Sequence, residues 1–168
     1  MNKVLIIGSP GSGKSTLANN LRTQLRLPLY HLDKINWKNN KDYLSREEFN
    51  AELVKVLKTD RWIIDGNYNR TMALRATYAD TIIWLDAPRT LCLFRVSKRY
   101  FSYFRKQTPF GNPNKLSFKF LLFVWRFKKN NVPNIQQIID EHGAEKQIIK
   151  LTSDEDIATF INSIKRNR

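Results

Sequence analysis

The sequence predicts a three-layer α/β domain in which helices cover both faces of one parallel sheet. Three observations predict it. Short apolar runs without polar alternation, such as Val4-Leu5-Ile6-Ile7, have the pattern of strands buried on both faces. These runs alternate with segments of helical periodicity, the order expected when each strand is joined to the next by a covering helix. The first run leads at once into a glycine-rich turn and then a helix.

The elements follow in chain order. Val4 to Ile7 forms the first strand and stops at Gly8; Leu17, Ala18, Leu21 and Leu25 then recur at helical spacing and predict a helix from Lys14 to about Gln24. Leu27 to Leu32 reads as a second short strand. Ser45 and Glu48 form a capping box, after which Phe49, Leu53, Val56 and Leu57 mark one face of a helix reaching about Lys58. Trp62 to Ile64 is a third strand and Thr81 to Leu85 a fourth. Pro88 suits the start of a helix running to about Phe104. Thr108 to Asn114 reads as a loop from its Pro, Gly and Asn content, and the apolar, basic segment after Leu116 reads as helical. Pro133 is expected to open a separate helix, Gln147 to Leu151 to form a fifth strand, and Asp154 to Ile164 to form a closing helix capped by Ser153. With no internal repeat and no low-complexity linker, residues 1–168 read as a single domain carrying insertions.

A chain of 168 residues is long enough to bury a core without covalent staples. Its single cysteine, Cys92, excludes an intrachain disulfide framework and suits a reducing cytosol. The longest wholly apolar run, Phe120 to Trp125, is far shorter than the roughly 20 residues a bilayer span requires. No leader is expected ahead of the strand at Val4, so a cytoplasmic location without a membrane partner is the expectation. The net charge of +14 is uneven: residues 87–131 hold 11 Lys or Arg, no acid, and 11 of the 20 aromatic side chains. Such a focused positive field attracts an anionic partner: phosphate groups, nucleic acid or a membrane surface.

Gly8-Ser-Pro-Gly-Ser-Gly13-Lys14-Ser15 matches G-x-x-x-x-G-K-[ST], with the strand before it and helix after it that the pattern requires. Each residue type has a physical purpose. Gly8, Gly11 and Gly13 permit positive φ and bring no Cβ, so backbone N–H groups around Ser12 can turn toward phosphate oxygens. The helix starting near Lys14 adds its positive dipole end. Lys14 suits the β- and γ-phosphates of a nucleoside triphosphate, the Ser15 hydroxyl suits Mg²⁺, and Thr16 suits the α-phosphate. ATP and Mg²⁺ are therefore the expected cofactors. Asp65, ending the apolar run Trp62-Ile-Ile, could support the metal or cap the next helix; Asp86, ending the fourth strand, competes for that duty.

In a parallel sheet, Asp33 lies on the same carboxyl edge as the glycine-rich loop. A carboxylate there could accept or orient the proton of an attacking hydroxyl, or help hold Mg²⁺. Arg70 would face the same region and could pair with an anionic group on a small-molecule acceptor. His31 reads as a packed strand residue. Trp37 and Tyr43 suit either an acceptor pocket or the core.

With these motifs in place, the sequence resembles the adenylate-kinase-like group of P-loop kinases, and more narrowly the small bacterial proteins labelled DNA topology modulation protein. The resemblance rests on Gly8 to Thr16, Leu32-Asp33-Lys34 with Trp37, Trp62-Ile-Ile-Asp65-Gly66-Asn-Tyr68, and Leu85-Asp86-Ala-Pro-Arg89 followed by Arg95-x-x-x-Arg99. It implies a five-stranded parallel sheet in order 2-3-1-4-5, an acceptor-binding insertion at about 33–61 and a basic lid at about 100–131. It further implies that Arg95 stacks on the nucleotide base and Arg99 reaches its phosphates. Arg126, with Lys128 or Lys129, would close on the transferring group from the lid, and Leu151 to Ser153 would border adenine. The expected activity is transfer of the γ-phosphoryl group of ATP to a small acceptor, a nucleoside or nucleotide among the options. The alternative is nucleotide-controlled binding of nucleic acid that affects DNA topology. The chain departs from monophosphate kinases after its third strand, where Asp65-Gly-Asn-Tyr-Asn-Arg70 lacks their proline. Asp33 at the end of strand two looks more like kinases of the shikimate and gluconate type.

Overall fold

The computed structural model describes residues 1–39, 42–105 and 117–166, without the side chains of 37–39, 42–43 and 103–105. The sheet strands are β1 (Lys3–Gly8), β2 (Leu29–His31), β5 (Trp62–Asp65), β6 (Thr81–Leu85) and β7 (Gln147–Leu151). They pair in parallel in the order β2-β5-β1-β6-β7, the 2-3-1-4-5 arrangement when only these strands are counted. Register sets Ile6 and His31 opposite Asp65, and Gly8 opposite Leu85, so the chemistry-bearing strand ends meet along one edge.

Alternation along β1 divides the core. Val4 and Ile6 face a layer built by α1 (Lys14–Leu25) and α7 (Asp154–Arg166), through Leu17, Ala18, Leu21, Ile157 and Phe160. Leu5 and Ile7 face the opposite layer, from α3 (Arg46–Leu57), α4 (Met72–Tyr78) and α6 (Phe118–His142). A third cluster of Ala87, Cys92, Val96 and Val124 joins α5 (Arg89–Arg105) to α6. The caps read from sequence are present: Ser45 and Glu48 bond reciprocally at α3, and Ser153 Oγ accepts the Asp156 N–H in the first turn of α7.

Three features differ from the sequence expectations. The second strand is shorter than Leu27 to Leu32, because Leu32 already begins the one-turn helix α2 (Leu32–Ile35) and is fully buried there. A two-stranded antiparallel ribbon, β3 (Trp37–Asn39) with β4 (Asp42–Tyr43), then precedes α3. Pro133 does not open a helix; it lies inside α6, which runs unbroken from Phe118 to His142. One stripe of Val124, Phe127, Asn131, Ile135 and Ile138 is buried on both sides of the proline, and this shared packing outweighs the lost hydrogen bond to the Lys129 carbonyl. The loop expected at Thr108 to Asn114, and the side chains of Trp37 and Tyr43, lie outside the described residues. The expected lid spans the end of α5, residues 106–116 outside the described ones, and the start of α6, where Val124 and Phe127 are buried.

Replacing Pro133 with Ala restores a donor to the Lys129 carbonyl and removes ring crowding. Chemical denaturation is expected to show a gain in stability of up to about 3 kcal/mol; no gain would mean that the backbone around Lys129 satisfies itself another way.

Candidate active site

The centre of the site is the turn from β1 into α1. Gly8, Gly11 and Gly13 all take positive φ, 149°, 81° and 101°. At Gly11 the requirement is doubly strict: a Cβ there would lie 2.4 Å from the Cys92 carbonyl oxygen on α5. No side chain caps the start of α1 and no acid occupies its first turn. The first-turn amides of Lys14, Ser15 and Thr16 therefore have neither an intrahelical partner nor a capping side chain, and they form an anion-seeking helix end. Ser12 is fully buried, its N–H closing the turn on the Ser9 carbonyl at 3.1 Å while its hydroxyl has no partner among the described residues.

Lys14 folds back over this turn, its Nζ donating to the Ser9 carbonyl at 2.8 Å. Burial lowers its pKa, and the positive charge of Arg99 adds to that, against the opposing effects of Asp65, Cys92 and Asp33. These couplings put exposed Arg99 and exposed Asp33 within electrostatic reach of the Lys14 ammonium. The Lys14 ammonium thus lies in the combined field of Asp65, Asp33 and Arg99.

Asp65 is buried at the end of β5. Its Oδ2 accepts from Ser15 Oγ at 2.7 Å and lies 3.1 Å from His31 Nδ1. Burial pushes its pKa up, but the hydrogen bonds from His31 and Ser15 and the charge of Lys14 outweigh burial and hold it below the usual carboxylate value. It is ionised at neutral pH, and its other oxygen, Oδ1, is buried with no hydrogen-bond partner among the described residues. Oxygen donors in this arrangement, a serine hydroxyl beside an ionised carboxylate with an unused oxygen, fit a hard divalent cation such as Mg²⁺.

The turn after Asp65 is held by a residue that sequence reasoning missed. Arg75, on α4, is fully buried and donates to the carbonyls of Thr71 (3.2 Å), Gly66 (2.7 Å), Asn67 (2.9 Å) and Tyr68 (3.0 Å). Burial lowers its pKa to about 9, which leaves it charged at neutral pH. Asn67 ties the same turn to the glycine-rich loop by accepting the Gly8 N–H at 3.1 Å. The signal was present: Arg75 shares the buried stripe of α4 with Met72 and Ala76, and a cation on an apolar stripe needs a partner. His31 was likewise left without a role, although its register opposite Asp65 is fixed by β2–β5 pairing.

The remaining expected site residues lie farther out. Arg95 is beside the loop, its Nη1 3.8 Å from where a Gly13 Cβ would be, and its Nη2 pairs with Asp154 Oδ1 at 2.7 Å. The Leu151 to Ser153 segment is drawn onto Asp156, whose Oδ2 accepts from the Thr152 N–H and hydroxyl and the Ser153 N–H. Arg70 is exposed; its Nη2 approaches Asn50 Oδ1 at 3.4 Å, and its guanidinium is 5.8 Å from the centroid of Phe49, a ring that stacks on Tyr68. Arg126 and Lys129 are exposed on α6. Lys128 instead pairs with Asp86 at 2.8 Å, and Lys150 reaches the other oxygen of that carboxylate at 3.2 Å. Asp86 is thereby neutralised by two lysines, which leaves Asp65 as the better-placed metal carboxylate.

No family model matches the chain, and no curated protein matches it either. Solved structures do. Shikimate kinase from Acinetobacter baumannii, in complex with shikimate, superposes with a TM-score of 0.63 at 14% identity, over 99% of this chain and 92% of that one. A provisionally assigned kinase from Chloroflexus aurantiacus gives a TM-score of 0.53 at 15% identity, over 100% of both chains. The class these likenesses define is a fold: the chain has the P-loop kinase fold, with its five-stranded parallel sheet in order 2-3-1-4-5.

Replacing Arg75 with Met removes the guanidinium donor from the carbonyls of Gly66 and Asn67 and one of several donors from that of Tyr68, which keeps the Thr71 N–H. Denaturant unfolding is expected to show a loss of at least about 3 kcal/mol. Replacement with Lys is expected to rescue little of it, since a single ammonium cannot span carbonyls bound by a planar fork.

Proposed function

We propose that the chain is a phosphotransferase that moves the γ-phosphoryl group of Mg²⁺-ATP to a small acceptor bearing a hydroxyl or phosphate group. The observation that carries this reading is the Ser15–Asp65 pair at 2.7 Å, with Asp65 Oδ1 unused, set directly behind a positive-φ glycine turn and Lys14. An ordinary strand-to-helix turn has no reason to bury an ionised carboxylate and a serine hydroxyl without a partner among the described residues beside a half-buried lysine.

Each residue has a task in this reading. The amides from Gly8 to Thr16, with Gly11, Ser12 and Gly13 shaping the bend, bind the phosphates. Lys14 exchanges the Ser9 carbonyl for phosphate oxygens, and the Ser9 carbonyl keeps the Ser12 N–H as its partner. Ser15 would hold Mg²⁺ with Asp65 behind it. When bound, the ion neutralises charge on the phosphates as the transfer proceeds. Arg95 and Arg99 flank the nucleotide. Arg126 would act from the lid at about 100–131. Asp33, exposed and within reach of the field at Lys14, orients or deprotonates the acceptor hydroxyl, and Arg70 pairs with an anionic group on the acceptor. Support for a hydroxylated acceptor comes from the position of Asp33 and from the structural neighbour that was solved with shikimate. The acceptor-binding insertion at about 33–61 and a cytoplasmic setting belong to the same proposal; among the described residues no helix is long and apolar enough to cross a membrane.

Lys14→Ala is expected to abolish Mg²⁺-ATP binding and any ADP release with small hydroxylated or phosphorylated acceptors, read by thermal shift and by a coupled ADP assay. Unchanged turnover in that variant would end the reading.

A second reading, nucleotide-controlled nucleic-acid binding, is the one to which the topology-modulation resemblance belongs. It is favoured by the exposure of Phe94 and Phe101 on α5 and Phe118 and Trp125 on α6, within the acid-free stretch 87–131. Exposed rings among lysines and arginines suit base stacking along a sugar-phosphate backbone. Under this reading, the affinity for a labelled single strand falls log-linearly with salt. Affinity no tighter than about 10⁻⁴ M at physiological salt, the nonspecific level, would remove it.

A further inference from the structure

A hollow of about 300 Å³ lies beside β2, lined by Asn19 and Arg22 from α1, Leu29, Tyr30 and His31 from β2, and Lys34 and Ile35 from α2. It is separate from the glycine-rich turn, none of whose residues line it. Consecutive side chains of a strand point to opposite faces, so a hollow bordered by Leu29, Tyr30 and His31 together lies against the strand's edge. Among the described strands β2 is an end strand of the sheet, hydrogen-bonded on one side only, by β5. The lining offers two fixed cations, an amide, a phenol and an imidazole over Leu29 and Ile35, and no carboxylate. A cavity of this size lies at the lower end of the range that holds small ligands. Two cations with no acid in the lining favour an anionic occupant.

The hollow also shares two walls with the Ser15–Asp65 pair. Ser15, Asn19 and Arg22 follow one another at i, i+4 and i+7 on one face of α1, and Asn19 Nδ2 donates to the Ser15 carbonyl at 2.7 Å. His31 borders the hollow while its Nδ1 lies 3.1 Å from Asp65 Oδ2. A molecule seated against His31 is one side chain away from the carboxylate.

We infer that this hollow is a binding site for a small oxyanion-bearing molecule, a carboxylate or a phosphate, distinct from the triphosphate cradle, and that His31 links its occupancy to Asp65. The site itself does not depend on the phosphotransferase reading; the link to Asp65 rests on that reading.

The test is an amide-resolved NMR titration of the full chain with malonate and, separately, with inorganic phosphate, which distinguishes a carboxylate from a phosphate ligand. Saturable shifts are expected at Leu29 to Ile35 and at the Asn19 side chain, weakened at least tenfold in an Arg22→Ser/Lys34→Ser variant; both residues are exposed, so the variant is expected to fold. Shifts confined to Gly8 to Thr16, or shifts that survive the double substitution, would overturn the site. For the link, saturating malonate or phosphate is expected to change Mg²⁺-ADP affinity at least threefold in the wild type and not in His31→Phe. An equal change in both proteins would overturn the role of His31. Because the titration needs no nucleotide, loss of ATP turnover as a finding and loss of this site would be told apart.

Discussion

The parallel pairing of β5 against β1, with Asp65 opposite Ile6, is the constraint on which the site depends. β1 is buried on both faces and hydrogen-bonded on both edges, so neither its end nor the loop that follows can shift without breaking the core. Ser15, seven residues beyond Gly8, and Asp65, fifty residues later again, meet at 2.7 Å only because that register holds. A slip of one residue would turn Asp65 to the other face of the sheet and bring Ile64 to the serine. Arg75 and Asn67 then secure the turn beyond Asp65 from two directions, one from α4 and one against Gly8. Rigidity is concentrated under the glycine-rich loop.

That rigidity holds an arrangement that is poor for stability by itself. Lys14 is half-buried, and among the described residues neither Asp65 Oδ1 nor the buried Ser12 hydroxyl has a hydrogen-bond partner. Each is a polar group that the described residues satisfy incompletely. Lys14 resting on the Ser9 carbonyl is a partial remedy, since that carbonyl is already satisfied by Ser12. Unsatisfied polar groups converging on one point are expected where binding, rather than folding, provides the missing partners.

The legible parts of the fold were those with local signals. Four of the five sheet strands are short apolar runs that read correctly to within a residue or two, and the capping boxes and the glycine turn each carry their own chemistry in a few adjacent residues. Arg75 was not legible in the same way, because its partners are backbone carbonyls whose positions depend on the path of the turn. Pro133 misled for a related reason: a proline is a strong local breaker, but the stripe from Val124 to Ile138 is buried by strands and helices far away in sequence. Local propensity yielded to tertiary packing there. His31 had no motif at all; only strand pairing brings it to Asp65.

The basic stretch 87–131 shows how a count along the chain differs from a field in space. It contains no acid, yet two of its cations are paired in the fold by carboxylates that lie outside it: Arg95 by Asp154, and Lys128 by Asp86. Lys150, from β7, shares Asp86 as well. The charge that the sequence reading expected to close over a nucleotide is therefore partly engaged within the fold itself. The two pairs differ in consequence. Arg95 and Asp154 are accessible to solvent, and such a pair contributes on the order of 1 kcal/mol at most, so Arg95 leaves its carboxylate with little loss. Asp86 is more enclosed and serves two lysines at once, so releasing Lys128 would leave a half-neutralised carboxylate at the end of β6. The geometry thus separates a cation held in an exposed, weakly bound pair from one committed to holding α6 against the sheet.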